Sequence, residues 1–258
     1  MRFKHMVWAV ALALAVAGCA GVGELPADDQ PPTHPDDLVL RVFDTGGLIG
    51  AGEHFKLPAV SLYGDGLLVL EHRSDYLVPR MQRRRLTLTG VRRVVAAAID
   101  AGLTKRLDLG VPNIVDAPVS IFTLVTTDRH VTKVVAPKSV RGYDAAQSEA
   151  RQRLHTFRKA LNDLDSWLGA DIAPDDGRFG AHFVYSIKTS PVEYMREERW
   201  PFEELAAGKC AILPAERADL LREAKSAWLW RSGDNVYMVV LRPVLPGERI
   251  CAEVERIE

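Results

Sequence analysis

The sequence has no charge excess of either sign, no apolar run long enough to span a bilayer, and none of the common catalytic signatures. Its 33 Lys and Arg face 34 Asp and Glu, a net charge of −1. So balanced a chain lacks the basic footprint that neutralises phosphates, so neither nucleic acid nor a polybasic membrane patch is expected. The longest apolar run, Val7 to Ala17, falls short of the ~20 residues that a transmembrane helix needs. There is no Gly-x-Ser-x-Gly elbow, no His-Glu-x-x-His, no phosphate loop and no Gly-x-Gly-x-x-Gly turn. The seven histidines, His5, His34, His54, His72, His130, His155 and His182, are scattered without metal-ligand spacing, so no metal and no cofactor is expected. Cysteine is scarce: Cys19, Cys210 and Cys251 are the three.

What is present begins at the N-terminus. Arg2 and Lys4 precede the apolar run, and small residues close it, which is the pattern of a signal peptide over residues 1–18. Its ending, Val16-Ala17-Gly18-Cys19, resembles the lipobox of bacterial lipoproteins. That resemblance implies that Cys19 becomes the mature N-terminus, carries diacylglycerol and acyl chains such as palmitate, and anchors the protein outside the cell membrane. Two chains hold a protein stably where one does not. Ala15-Val16-Ala17 is also a small-x-small cleavage site, and cutting there would release a secreted soluble protein. The odd cysteine favours lipidation, because using Cys19 leaves Cys210 and Cys251 to pair as a disulfide in an oxidising compartment.

Residues 19–37 read as a tether. Pro26, Pro31, Pro32 and Pro35 alternate with Glu24, Asp28, Asp29, Asp36 and Asp37, a composition that favours extended, solvated backbone. Fully extended, such a stretch would lift a folded body on the order of 55 Å from the membrane. Arginine outnumbers lysine 24 to 9, a bias associated with high-GC genomes.

The remainder reads as an α+β protein with two small antiparallel-sheet units, each covered by helix: residues 38–168 and 178–258. A strand is expected at Leu38–Phe43, and a hairpin at Ala59–Tyr63 and Leu67–His72 around Gly64-Asp65-Gly66. Val91, Val94, Val95, Ala98 and Ile99 define a helix face, with Thr89 as N-cap and Gly102 at the C-cap. A second hairpin spans Val119–Thr126 and His130–Val135. A long helix follows from Asp144, with Gln147 at capping-box spacing and a stripe of Leu154, Phe157, Leu161, Leu164 and Leu168. Gly169 to Arg178 is the expected boundary. Beyond it come strands at His182–Lys188 and Lys209–Leu213, a helix at Pro214–Ala224, a hairpin at Ala227–Arg231 and Val236–Arg242, and a last strand at Arg249–Val254. The cluster Arg83-Arg84-Arg85 and Arg92-Arg93 reads as a solvated strand end and the outer face of a helix.

Few residues point to chemistry. Glu197-Glu198 and Glu203-Glu204 flank Trp200-Pro201, and Asp116 precedes Ala117-Pro118. Carboxylates in tandem are candidates for acid/base work, but neighbouring side chains usually point apart, and an Asp before a strand commonly forms a turn. Asp65 has the same turn-forming explanation. No catalytic residue is therefore assigned. The aromatic residues Trp200, Trp228 and Trp230 either build a core beside the disulfide or line an exposed groove; core is the expected role in so small a unit.

Pro58 to Gly66, Ala101-Gly102-Leu103, Asp116-Ala117-Pro118, Trp200-Pro201, Trp230-Arg231-Ser232-Gly233 and Leu241-Arg242-Pro243, with Cys210 and Cys251, are together similar to uncharacterised actinobacterial secreted proteins and lipoproteins. That resemblance implies secretion and a compact sheet-rich fold, and it supplies no catalytic residues. The expected role is a non-enzymatic binding or scaffolding module at the cell envelope, contacting an envelope protein or glycan. The alternatives are an envelope hydrolase with a carboxylate site and a carrier for a lipid-like ligand.

Overall fold

The computed structural model describes residues 25–45, 57–72, 74–110, 118–135 and 145–249. The signal peptide, the lipobox, Asp116, Asp144 and Cys251 lie outside the described residues. The fold is mixed α+β with two sheets.

The first sheet has seven strands. Leu38–Thr45 (β1) sits between Val60–Tyr63 (β2) and Val119–Val125 (β5). Leu67–His72 (β3) and Arg80–Leu86 (β4) extend one side, His130–Val135 (β6) closes the other, and Ile172–Pro174 (β7) pairs outside β4. All these pairings are antiparallel. At the β2–β3 turn, Gly66 has φ +83° and the Asp65 carboxylate accepts from the Leu67 N–H at 3.0 Å.

Helices cover one face of this sheet. Leu88–Asp100 (α1) presents Val91, Val94, Val95 and Ala98 to it, while Ala145–Ala160 (α2) presents Ala150, Leu154 and Phe157. They meet Leu40, Val42, Leu62, Leu68, Phe122 and Leu124 from the strands in one continuous apolar core. The N-cap is Thr87 rather than Thr89, because its hydroxyl is the one that accepts from the Gly90 N–H, at 3.0 Å. The expected long helix is interrupted. After Ala160 the chain turns, and Leu164–Leu168 (α3) starts afresh, so one apolar stripe is delivered by two helices. The Gln147 amide donates to Asp108 at 2.8 Å.

The second sheet has five strands in the order β10-β8-β12-β11-β9: Ala181–Thr189 (β8), Glu197–Arg199 (β9), Cys210–Pro214 (β10), Leu229–Ser232 (β11) and Asn235–Pro243 (β12). β9, three charged residues without an apolar period, is absent from the strands expected from sequence; it pairs parallel to β11. Among the described residues a single short helix, Ala215–Asp219 (α4), lies over this sheet, and Ala218 and Leu221 enter its core.

Two further expectations are corrected. The tether was expected to be extended and solvated, but residues 25–37 lie against the first sheet. Leu25 packs on the core, Asp29 is buried and ion-paired to Arg129, and the Thr126 hydroxyl donates to the Asp28 carbonyl at 2.7 Å. Gly64 admits this segment: a Cβ there would lie 2.4 Å from the His34 carbonyl oxygen. A 3-10 turn at Ala27–Asp29 closes bonds within the segment, and the Thr127 and Gly64 N–H groups donate to the Gln30 and Asp37 carbonyls at 2.9 Å. The boundary stretch at 169–178, expected as a polar linker, carries β7, and its Asp175 is tied to Arg83 and Arg85 of β4.

Candidate functional site

The sequence-predicted aromatic residues come together at the β9–β11 edge. β9 lies beside β11 with Glu198 opposite Trp230, and the Trp200 N–H then donates to the Arg231 carbonyl at 2.9 Å. Trp200 meets Trp230 edge-on at 5.3 Å and Phe202 edge-on at 5.2 Å, while Trp228 leans on Trp230 at 6.4 Å. Trp200 and Trp230, 6% and 4% exposed, are core residues. Trp228 is half-buried, and the Arg196 guanidinium covers its outer face at 4.3 Å. The same β9–β11 edge carries an open cleft of about 430 Å³ lined by Glu197, Glu198, Arg199, Arg231 and Gly233.

The paired glutamates do not act as pairs. Strand alternation separates Glu197 from Glu198, and each finds its own arginine: Glu197 meets Arg231 at 2.5 Å, and Glu198 meets Arg196 at 2.5 Å. Glu203 takes Arg217 through both oxygens at 2.6 Å. That guanidinium holds the Glu203 carboxyl below its ordinary range. A carboxylate kept ionised in this way is a poor proton donor near neutral pH.

A second polar concentration lies where the two sheets meet. Arg83 contacts Asp175 at 3.1 Å, and Arg85 bridges Asp175 at 2.9 Å and Asp65 at 2.5 Å. Burial pushes the Asp175 carboxyl up, but the Gly177 N–H and the two arginines outweigh it and hold it low. Asp65 thus joins this network as well as its turn. An open cleft of about 410 Å³ runs alongside, lined by Asp36, Asp65, Arg83, Arg85, Arg178 and Glu248 among others. A third, of about 330 Å³, is bounded by the Asp44–Arg158 pair at 2.6 Å.

Cys210 begins β10 opposite Tyr185, and its expected partner Cys251 lies outside the described residues. Among the described residues no group of three or more His, Cys, Asp or Glu could hold a metal ion, and no helix is long and apolar enough to cross a membrane. Sequence reasoning missed the fully buried Arg242, which pairs with Glu248. The signal was present: an arginine inside the apolar run Val239 to Pro243 needs a buried anion. It also missed Tyr63, fully buried on the helix-free face of the first sheet.

No protein-family model matches the chain, and no curated protein aligns with it significantly.

Proposed function

We propose that this chain is a cell-envelope lipoprotein that acts as a non-enzymatic binding or scaffolding module, anchored through Cys19 and contacting an envelope protein or glycan at the β9–β11 edge. One observation carries the reading: Trp228, half-buried and capped by Arg196, is backed by the Trp200–Trp230 pair on the same β9–β11 edge that carries an open, charge-lined cleft. A ring fixed from behind loses little conformational freedom on contact, and rim charges orient the partner.

The ion-paired glutamates suit recognition better than proton transfer. A hydrolase at this edge would need one of them released from its arginine. A lipid carrier would need an apolar cavity, whereas charged and polar side chains dominate the lining of this cleft. The docked segment 25–37 brings the body closer to the bilayer, because residues 20–24 alone then separate it from Cys19, a reach of under about 20 Å.

The Cys210–Cys251 disulfide belongs to this reading. Glu248 is held against Arg242, whose row on the sheet (Arg242, Phe183, Ile212) lies next to that of Val240, Tyr185 and Cys210. Cys251 follows Glu248 by three residues, a separation that full extension carries to about 10 Å.

The test places a photo-crosslinking residue at position 228 or, as a distant reference, at position 88 in the full-length protein expressed in its native cells. Position 228 is expected to give a defined adduct in the membrane fraction that weakens with Glu198→Lys and Arg231→Glu. Equal adducts from positions 228 and 88 would overturn the assigned surface. An unmodified mature N-terminus at Gly18 would overturn the anchor.

A further inference from the structure

The junction of the two sheets contains buried donors that meet one another without well-formed hydrogen bonds. Arg41 and Ser61 are directly paired across β1 and β2, and Tyr63 lies two residues beyond Ser61, on the same helix-free face. Ser61 and Tyr63 are 1% and 0% exposed. Both hydroxyls and the Arg41 Nε are buried, and Tyr63 lies within hydrogen-bonding reach of Arg41 and Ser61, yet none of these three atoms closes a well-directed bond.

The opposite wall comes from the second unit. Leu245 packs on Tyr63 and brings Glu248 near it. Glu248 is already committed: its carboxylate takes Arg242 and also accepts the Leu245 N–H at 2.9 Å. Arg242, fully buried, keeps two further nitrogens, Nε and Nη1, without a partner among the described residues. Five unsatisfied polar atoms therefore belong to this one junction: Arg41 Nε, Ser61 Oγ, Tyr63 OH, Arg242 Nε and Arg242 Nη1.

Such atoms are rare in native interiors, where a bound water or ion usually accounts for them. Water answers a hydrogen-bond deficit but not a charge deficit. Glu248 is taken by Arg242, so the half-buried Arg41 guanidinium beside Tyr63 is the cation that an anion at this junction would meet.

We propose that Arg41, Ser61 and Tyr63 form a binding site for a single oxyanion, the phosphate or carboxylate group of a small ligand. The guanidinium supplies a planar fork of donors and the two hydroxyls close the remaining directions, which suits an anion with two or more oxygens. Burial, the largest influence on Tyr63, raises its pKa, so the hydroxyl stays protonated and donates. Arg41 is only half-buried and neighbours Thr123 and, beyond it, the exposed Thr132, which gives the ligand its entry along the β1–β5–β6 side.

The experiment is isothermal calorimetry with thermal melting of the mature chain, using inorganic phosphate and, separately, acetate at constant ionic strength. Saturable binding of one anion per chain is expected, with a melting temperature that rises as ligand exceeds Kd. Arg41→Gln and Tyr63→Phe should each weaken binding by about tenfold or more, while Arg84→Gln, on the opposite face of β4, should leave Kd unchanged. Phosphate binding with acetate silent assigns a tetrahedral group, and the reverse assigns a carboxylate. The proposal is overturned by no saturable binding at tens of millimolar of either anion, or by the same Kd in Arg41→Gln. If that variant fails to fold, a crystal grown in phosphate decides: an anion between Arg41 and Tyr63 upholds the site, and water alone overturns it.

Discussion

The two sheets solve the same burial problem with different means. The seven-stranded sheet is covered by α1, α2 and α3, and aliphatic side chains from both layers fill one continuous core. The five-stranded sheet has α4, five residues long, and makes up volume with Trp200, Trp230 and Tyr237. It also takes help from the first unit. Leu77, between β3 and β4, enters the second core, its N–H donates to the Ala224 carbonyl at 2.8 Å, and Asp75 contacts Lys225 at 3.1 Å. A sheet with little helical cover needs large rings and outside bracing, because small units bury too little surface to offset chain entropy.

The comparison is broken most directly by emptying the first core. Phe122 is fully buried and stacks near Phe157 at 6.2 Å. Phe122→Ala should cost about 3–5 kcal/mol. In a Trp167→Phe background, which removes the tryptophan packed on the first core, urea unfolding followed by far-ultraviolet dichroism and by tryptophan fluorescence should show whether the second unit falls with the first. Coincident midpoints mean one cooperative body; separated midpoints mean two.

Arg242→Met should cost a similar amount, about 3–5 kcal/mol, because it leaves Glu248 buried without its cation. Adding Glu248→Gln should recover most of that loss; a double variant as unstable as the single would show that packing, not charge, is at stake. Leu77→Ala should cost about 2–4 kcal/mol, lowering the fluorescence midpoint more than the dichroism midpoint. Equal shifts would mean that the bracing serves both units alike. Thr87→Ala removes the α1 cap and should cost about 1 kcal/mol, read as a small loss of helical signal confined to the first unit.

The smallest effect concerns pH. His182 is buried beneath α4; burial lowers its pKa, and Asp219 opposes this weakly. The unfolded chain therefore binds the proton more readily than the folded one. The second unit should keep full stability above pH ~6.5 and lose it as pH falls through the folded pKa. Thermal melts between pH 7.5 and 5 should show this slope in tryptophan fluorescence, and His182→Gln should flatten it. An unchanged slope in that variant would assign the acid limb to carboxylates.

Strand and helix identity was largely legible from sequence, because alternation and three-four spacing record which face is buried. Val91 to Ala98 and Leu62 to Leu68 are where that reading located them. The interruption between α2 and α3 escaped it, since the stripe from Leu154 to Leu168 continues across the turn at 161–163. β9 escaped it because three charged residues carry no apolar period; pairing with β11 made it a strand. The proline- and acid-rich stretch 25–37 was misread because composition measures what a segment can bury by itself, whereas this one borrows Thr126, Thr127 and Gly64 from elsewhere.

The candidate site divides the same way. That Trp200, Trp228 and Trp230 belong together follows from their crowding in the last third of the chain. Which ring faces outward was decided by the parallel docking of β9 and the cover given by Arg196. Likewise Glu197 and Glu198 are adjacent in sequence, yet pleating sends them to separate arginines. The sequence by itself determined the α+β class, the apolar faces and the turns, since these depend on backbone preference and local periodicity. Only the tertiary structure decided that β7 closes the first sheet, that Leu77 serves the second core, and that Arg41, Tyr63, Arg242 and Glu248 meet. Those outcomes depend on distant segments satisfying one another's charge and hydrogen bonds, and no local pattern encodes a partner two hundred residues away.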